Sequence, residues 1–276
     1  MKRPDAAEWK KATDAERMAL VSAETWTICD LPDGFTPLPS TMVYKIKQTK
    51  DGLIDKYKAR LCARGDRQQY GIDYEETFAP VVRFATIRML LAIATTMQWL
   101  MWQLDVDSAF LYGLLREKVY LQIPNGFYEE EKKAGKVLRL DKSLYGLKQA
   151  GRVWYQTLEN HLQANGFTNC SLDRCAFIKR MGGGVIIVLV YVDDLVYTAS
   201  NTTLMEEFKE VMSSKFKMKD LGLVEYVVGL RVRSSKNSTH LSQSLYEKDI
   251  FKDLICKTQQ ILNTSPWAND SLSEAT

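Results

Sequence analysis

Val185-Ile186-Ile187-Val188-Leu189-Val190-Tyr191-Val192 is an unbroken apolar run that ends on two adjacent carboxylates, Asp193-Asp194, before Leu195-Val196-Tyr197 resumes the apolar pattern. Eight residues rich in β-branched side chains read as a buried strand. The chain then turns at a doubled negative charge, so the stretch is expected to form a hairpin centred on the two aspartates. Burying two like charges side by side is costly unless a cation neutralises them. A divalent metal held by oxygen ligands meets that need. Ordinary turn acids seldom follow so uniformly apolar a strand, and that plainer reading is weak here.

A second acidic site lies upstream in Gln103-Leu104-Asp105-Val106-Asp107-Ser108-Ala109-Phe110. Residues 101–106 read as a strand, with Asp105 and Asp107 on one face at its end. Placed on adjacent strands, Asp105 and Asp193-Asp194 would hold two Mg²⁺ ions roughly 3.5–4 Å apart, with Mn²⁺ as the alternative. Taken alone, Asp105 fits a turn acid as well as a ligand. For Asp107 a helix N-cap is the better reading, a role Ser108 could also fill.

The surrounding chain is ordinary in composition. Its 276 residues are 46% hydrophobic and 26% charged, with a net charge of +3, enough for a sizeable core in one to three domains. Charge distribution says more than the total. Lys45, Lys47, Lys50, Lys56, Lys58, Arg60, Arg64 and Arg67 are accompanied only by Asp51, Asp55 and Asp66, a local excess of positive charge suited to phosphate. Charge alone favours a solvated hairpin face. Five cysteines without a C-x-x-C, and only His161 and His240 beside them, argue against zinc and for free thiols in a reducing compartment. No apolar run is long enough to span a bilayer, and Met1-Lys2-Arg3-Pro4-Asp5 leads into a charged helix and not a signal peptide. An intracellular protein without a membrane partner is expected.

The elements alternate irregularly, which favours an α+β fold over a regular βαβ repeat. Residues 5–24 read as a helix, followed by a Pro-rich loop. Residues 43–47 and 56–62 alternate at period two around Asp51-Gly52, so a hairpin is expected with Lys56, Lys58 and Arg60 on one face. Ile87, Leu90, Leu91 and Ala94 set one face of a helix over 85–98. A short helical stretch is expected near 108–115, strands at 119–123 and 137–140, and a helix over 152–165 with Tyr155, Leu158 and Leu162 inward, closed by Asn165-Gly166. Residues 176–179 read as a strand before the turn Gly182-Gly183-Gly184. Leu204, Phe208 and Val211 align on a helix over 204–216. Strands are expected at 226–233 and 239–241, a last helix over 246–255, and a polar, disordered tail over 263–276.

Tyr191-Val192-Asp193-Asp194 resembles the Y-x-D-D signature of reverse transcriptases. Other strings follow the same family in order: Lys58-Ala59-Arg60-Leu61, Gly71-Ile72-Asp73-Tyr74-Glu75-Glu76-Thr77-Phe78-Ala79-Pro80-Val81-Val82, Gln103-Leu104-Asp105-Val106, Ala109-Phe110-Leu111-Tyr112-Gly113 and Ser143-Leu144-Tyr145-Gly146-Leu147-Lys148-Gln149. Together they resemble the reverse transcriptase of copia-type LTR retrotransposons over nearly the whole chain. The resemblance implies a right-hand polymerase, with an N-terminal helix over 1–24, fingers, palm and the start of a thumb over 25–250, and a partial thumb or disordered tail over 251–276. The palm would be an antiparallel sheet with helices on one face.

The same resemblance implies that Asp105, Asp193 and Asp194 are the catalytic metal-binding carboxylates, Asp194 less directly, and that nucleotides are added to a primer 3′-OH with pyrophosphate leaving. Phe110 matches an aromatic gate against the ribose 2′-OH; without the resemblance it reads as a buried Phe. Lys58 and Arg60 match positions that grip the triphosphate, and Gln149 a glutamine that contacts the incoming dNTP. Lys148, Arg152 and Tyr191 are candidates for template or primer. Residues 223–232 resemble the family's hairpin near the primer terminus. An RNA or DNA template with primer, and dNTPs, are the implied partners. Integrase and ribonuclease H domains of the same polyprotein are expected, though this chain holds neither, and cytoplasmic particles are the implied location. The chain departs from the family pattern at Gly151, where Pro is usual, at Asp66, where an aromatic is usual, and at Val43, in place of a common Trp. Gly151 is expected to loosen the start of its helix, and Asp66 to weaken packing if buried. Two further readings stand beside the polymerase: a catalytically decayed nucleic-acid-binding remnant, and, from the carboxylates alone, a two-metal nuclease or phosphohydrolase.

Overall fold

A computed structural model describes residues 4–49, 52–235, 238–243, 246, 247, 250, 251, 254 and 255. The chain opens with α1 (Ala6–Ser22) and β1 (Trp26–Cys29), then the basic hairpin β2 (Ser40–Gln48) and β3 (Ile54–Ala63). α2 (Phe84–Met97) leads into β4 (Met101–Val106), a 3-10 turn over Ala109–Tyr112, and β5 (Leu114–Gln122). The single-turn α3 (Glu129–Lys133), β6 (Val137–Lys142) and α4 (Ala150–Ala164) follow. β7 (Thr168–Asn169), β8 (Ala176–Met181), β9 (Gly184–Tyr191) and β10 (Asp194–Ala199) come next. α5 (Thr202–Ser213), β11 (Met218–Leu223), β12 (Tyr226–Val227), β13 (Leu230–Ser234) and β14 (Thr239–Ser242) complete the named elements.

Helices and antiparallel sheets mix as expected of an α+β chain. The main sheet runs β11-β4-β10-β9-β8-β7, each neighbouring pair antiparallel. Smaller sheets run β1-β6-β5, β12-β13-β14 and β2-β3. The apolar run of the sequence supplies the interior strands β9 and β10, and all of Leu195, Val196, Tyr197, Thr198 and Ala199 are buried. Burial of one such Leu stabilises by about 1.5–3 kcal/mol. Tyr197 packs on Phe208 of α5 at 4.7 Å between ring centroids. α4 and α5 are joined where a His161 ring nitrogen bonds the Val211 carbonyl at 2.9 Å. A second core gathers Leu20, Leu61, Leu121, Leu138 and Leu144 from α1, β3, β5, β6 and the loop before α4. Phe110 packs against both cores.

The basic hairpin is seated on the rest of the chain through backbone. The Ala63 N–H donates to the Tyr145 carbonyl at 2.8 Å. Gly146 has φ +90°, and a Cβ there would stand 2.2 Å from the Ala63 carbonyl oxygen. Gly65 faces the same contact from the other side, since its Cβ would meet the Gly146 oxygen at 2.0 Å. No side chain fits at either position without moving the hairpin.

Several expectations change in detail. Residues 226–233 are not one strand: Val228 and Gly229, at φ +46° and +77°, fold them into a hairpin. This is the backbone of a type I′ turn, hidden because Val replaces the usual Asn. β1 and β11 were not anticipated; β11 carries a bulge between Asp220 and Gly222 that breaks its alternation. The stretch near 108–115 is a short 3-10 turn running straight into β5. α5 stops at Ser213, and Met212, not Val211, is its last buried residue. Asp66 is exposed and bonds Arg64 through both carboxylate oxygens at 2.7 Å, so it weakens no packing. α4 begins at Ala150, so Gly151 lies within its first turn and does not delay the helix. The tail over 263–276 lies outside the described residues, as do several positions of the helix expected over 246–255.

Gly146→Ala is expected to lower stability by about 2–4 kcal/mol, combining left-handed strain with a backbone clash. Urea unfolding reads this as a lower midpoint at unchanged slope; a loss under about 0.5 kcal/mol, the usual range for a surface substitution, contradicts the close approach.

Candidate active site

β4 and β10 bring the two acidic stretches together. Asp105 lies directly opposite Asp194 in the antiparallel register. Asp193 occupies the two-residue turn between β9 and β10, with Val192 beside it and Tyr191 paired to Asp194. The Asp193 carbonyl accepts the Val106 N–H at 2.9 Å, which ties the turn to the end of β4. Three carboxylates from two stretches of chain thus share one patch. Asp107 stands apart: it is exposed and ion-paired to Lys217 at 3.0 Å. Ser108 takes the N-cap position of the 3-10 turn without a side-chain cap bond.

The patch holds negative charge that is only partly compensated, by Lys219 facing Asp105 from β11 and by Lys58. Burial raises the Asp105 pKa from its ordinary value; Asp193 and Asp107 add to the rise, against Lys219 and Lys58. Burial also raises Asp194, with Asp105 and Asp193 contributing, while a hydrogen bond from Gln103 opposes it. That bond runs from Gln103 Nε2 to Asp194 Oδ1 at 2.8 Å, along the diagonal between β4 and β10. Among the described residues no three His, Cys, Asp or Glu side chains converge closely enough to hold a metal ion by themselves. An all-oxygen, partly open donor set carrying excess negative charge fits Mg²⁺, which keeps several of its waters.

The basic hairpin faces this patch. Lys58 is near enough to Asp105 to help hold its pKa down, and its own pKa is lowered by burial and then by Arg60 and Lys47. The Arg60 guanidinium lies over the Tyr145 ring at 4.5 Å, and Tyr145 meets Phe110 edge-on at 4.9 Å. Arg60, Tyr145 and Phe110 therefore form a continuous stack from the hairpin to the turn after β4.

Gln149 does not join them. It is completely buried. Its Oε1 accepts from Gln68 Nε2 at 2.9 Å and its Nε2 donates to the Asp73 carbonyl at 2.9 Å. Gln68 in turn accepts the Lys148 N–H at 2.7 Å. The network fastens the 68–74 loop to the start of α4, and it uses the amide that nucleotide contact would need. Lys148 reaches the Tyr74 hydroxyl at 3.1 Å, and Arg152 is ion-paired with Glu76. Both lie with that loop. Tyr191 borders the carboxylates at the end of β9.

Three residues were missed by sequence reasoning. Gln103 carried a signal, since it shares a strand face with Asp105 at spacing two. Tyr145 and Trp154 carried none beyond being aromatic. Trp154, on α4, is buried, and its indole Nε1–H donates to the Val192 carbonyl at 2.7 Å.

The family profile described as reverse transcriptase (RNA-dependent DNA polymerase) matches residues 23–266. The chain belongs to this family. The retrovirus-related Pol polyprotein from transposon RE1 of Arabidopsis thaliana is 36% identical over 254 residues, covering 92% of this chain and 17% of the relative. That from transposon TNT 1-94 of Nicotiana tabacum is 34% identical over 267 residues, covering 96% and 20%. The chain thus spans a fifth or less of the length of these polyproteins. The putative transposon Ty5-1 protein YCL074W of Saccharomyces cerevisiae is 34% identical over 134 residues, 49% of this chain and 43% of the relative. The copia-type resemblance is borne out at the level of the family.

The raised carboxylate pKa values of this reverse transcriptase chain predict a stability effect of defined sign. A folded-state pKa above the unfolded value means the native state binds more protons, so stability falls as pH rises through that interval. At neutral pH the ionised cluster opposes folding. Asp105→Asn is therefore expected to raise Tm at pH 7 in chelator. The gain should vanish well below pH 4. An unchanged or lower Tm at pH 7 would mean the carboxylates are compensated within the protein.

Proposed function

We propose that the chain is an RNA-directed DNA polymerase domain that extends a primer 3′-OH with dNTPs on an RNA or DNA template. The observation that carries this is the register of β4 and β10, which sets Asp105 opposite Asp194 with Asp193 in the adjoining turn. The family membership supports the same reading. In it, residues 25–250 hold fingers built on the β2–β3 hairpin, a palm built on the six-stranded sheet, and the start of a thumb. Residues 1–24 are an N-terminal helix, and 251–276 a partial thumb or tail.

Asp105 and Asp193 hold divalent ions at the open edge of the patch, and Asp194 supports them while oriented by Gln103. When bound, two Mg²⁺ ions lower the pKa of the attacking hydroxyl and neutralise the leaving pyrophosphate. Lys58 and Arg60 meet the triphosphate from the hairpin face, where their charge lies across from the carboxylates. Phe110, braced by Tyr145, stands against the sugar and disfavours a 2′-OH, the one hydroxyl that separates ribo- from deoxynucleotides. Gln149 acts by fixing the 68–74 loop, a change from the direct contact that the resemblance implied. Lys148, Arg152 and Tyr191 are left to template and primer, where backbone contacts position the duplex and base pairing selects the nucleotide. The polyprotein context and cytoplasmic particles belong to this proposal as well.

Extension of oligo(dT) on poly(A) RNA with dTTP and Mg²⁺ tests the reading. Asp193→Asn is expected to reduce extension by about 10³-fold or more while primer–template binding persists. Retained extension in that variant removes the metal assignment. A folded wild type that binds primer–template but never extends it would instead be a decayed binding remnant. Phe110→Ala is expected to relax discrimination against ribonucleotides by about 10–100-fold. Unchanged discrimination in single-nucleotide insertion assays would take the gate away from Phe110.

A further inference from the structure

The turn that carries Asp193 is strained. Val192 sits at φ +58°, in the left-handed region that β-branched residues avoid. Turns of this length between antiparallel strands are usually made with Gly or Asn at such positions. Strain of this kind persists only when the surroundings over-determine the backbone. Here the surroundings are identifiable. Trp154 is 1% exposed, and its indole N–H donates to the carbonyl of the strained residue itself at 2.7 Å. The indole is wedged against Phe216, with ring centroids 5.2 Å apart, and against Tyr112 at 6.2 Å. The Tyr112 hydroxyl accepts the Lys217 N–H at 2.7 Å, and the Lys217 carbonyl accepts the Asp107 N–H at 2.9 Å. One aromatic block is therefore bonded both to the turn holding Asp193 and to the exit of the strand holding Asp105.

We propose that Trp154 is a positioning residue, whose indole N–H holds the left-handed Val192 carbonyl so that Asp193 stays in register with Asp105. It touches neither substrate nor metal and acts through the backbone of the turn. This rests on the polymerase reading for its kinetic consequence, but the clamp itself does not.

Trp154→Phe keeps an aromatic ring in the block and removes the donor together with part of the indole's volume, which is why a rescue variant is needed. It is expected to lower kcat for dTTP insertion about tenfold with KM within about twofold, because an unsatisfied carbonyl and a relaxed turn misplace Asp193. Val192→Asn accepts the left-handed backbone more readily. In the double variant it should restore at least about threefold of that loss, a coupling that simple core damage would not give. A kcat within twofold of wild type in Trp154→Phe overturns the proposal. So does a tenfold loss that Val192→Asn leaves untouched and that follows Tm.

Hydrogen exchange of the indole protons separates the two readings. The NMR signal missing from Trp154→Phe assigns Trp154, and slow exchange of that proton in the wild type is expected. Fast exchange overturns the clamp whether or not the chain polymerises. Slow exchange in a wild type that extends no primer supports the clamp and rejects the polymerase reading.

Discussion

Asp105 and Asp194 face each other across β4 and β10, and the rest of the molecule is organised around keeping that like-charge pair in place. Opposed carboxylates on neighbouring strands repel, and cross-strand repulsion of this kind normally weakens a sheet. The repulsion is contained because β10 behind it is buried without interruption. Residues Leu195 to Ala199 lie inside, Leu104 and Val106 flank Asp105 in the core, and α5 covers Tyr197. A tightly packed interior resists the small displacements that would let the charges separate. Folding energy gained in the core thus offsets a repulsion that Lys219, Lys58 and the Gln103 hydrogen bond ease in part.

The second constraint is the attachment of the basic hairpin. Positive charge near the carboxylates would neutralise them by direct pairing if the hairpin could fold down onto them. It is held instead by the Ala63–Tyr145 backbone bond, by the close approach of Gly65 and Gly146, and by the Arg60–Tyr145–Phe110 stack. Lys58 therefore influences Asp105 across space, while Arg60 is held over the Tyr145 ring.

Much of this was legible in the chain. The apolar run ending in Asp193-Asp194 gave the β9–β10 hairpin, and the helical spacing of Ile87, Leu90, Leu91 and Ala94 marked the buried face of α2. The pairing of Asp105 with Asp193-Asp194 was anticipated as adjacent strands, and the register supplied the opposition of Asp105 and Asp194. What stayed hidden was set by tertiary contact. Gln149 looks polar and available in sequence, yet it is sealed by Gln68 and Asp73, residues far from it along the chain. The β12–β13 turn was missed because Val228 gives no turn signal, just as Val192 gives none at the acidic turn. β-branched residues at positive φ are imposed by their surroundings, and no local pattern announces them. The role of Trp154 was hidden for the same reason, since its partner is a backbone carbonyl on another element.

The central claim is that Asp105, Asp193 and Asp194 act together as a divalent-cation site once a substrate polyanion is present. The most direct measurement is a Mn²⁺ titration followed by electron paramagnetic resonance, on the chain bound to a template with a dideoxy-terminated primer and the next dNTP. The account predicts two protein-dependent ions per complex in the wild type, and loss of at least one in Asp105→Asn with the complex still formed. An ion count that Asp105→Asn leaves unchanged would contradict it.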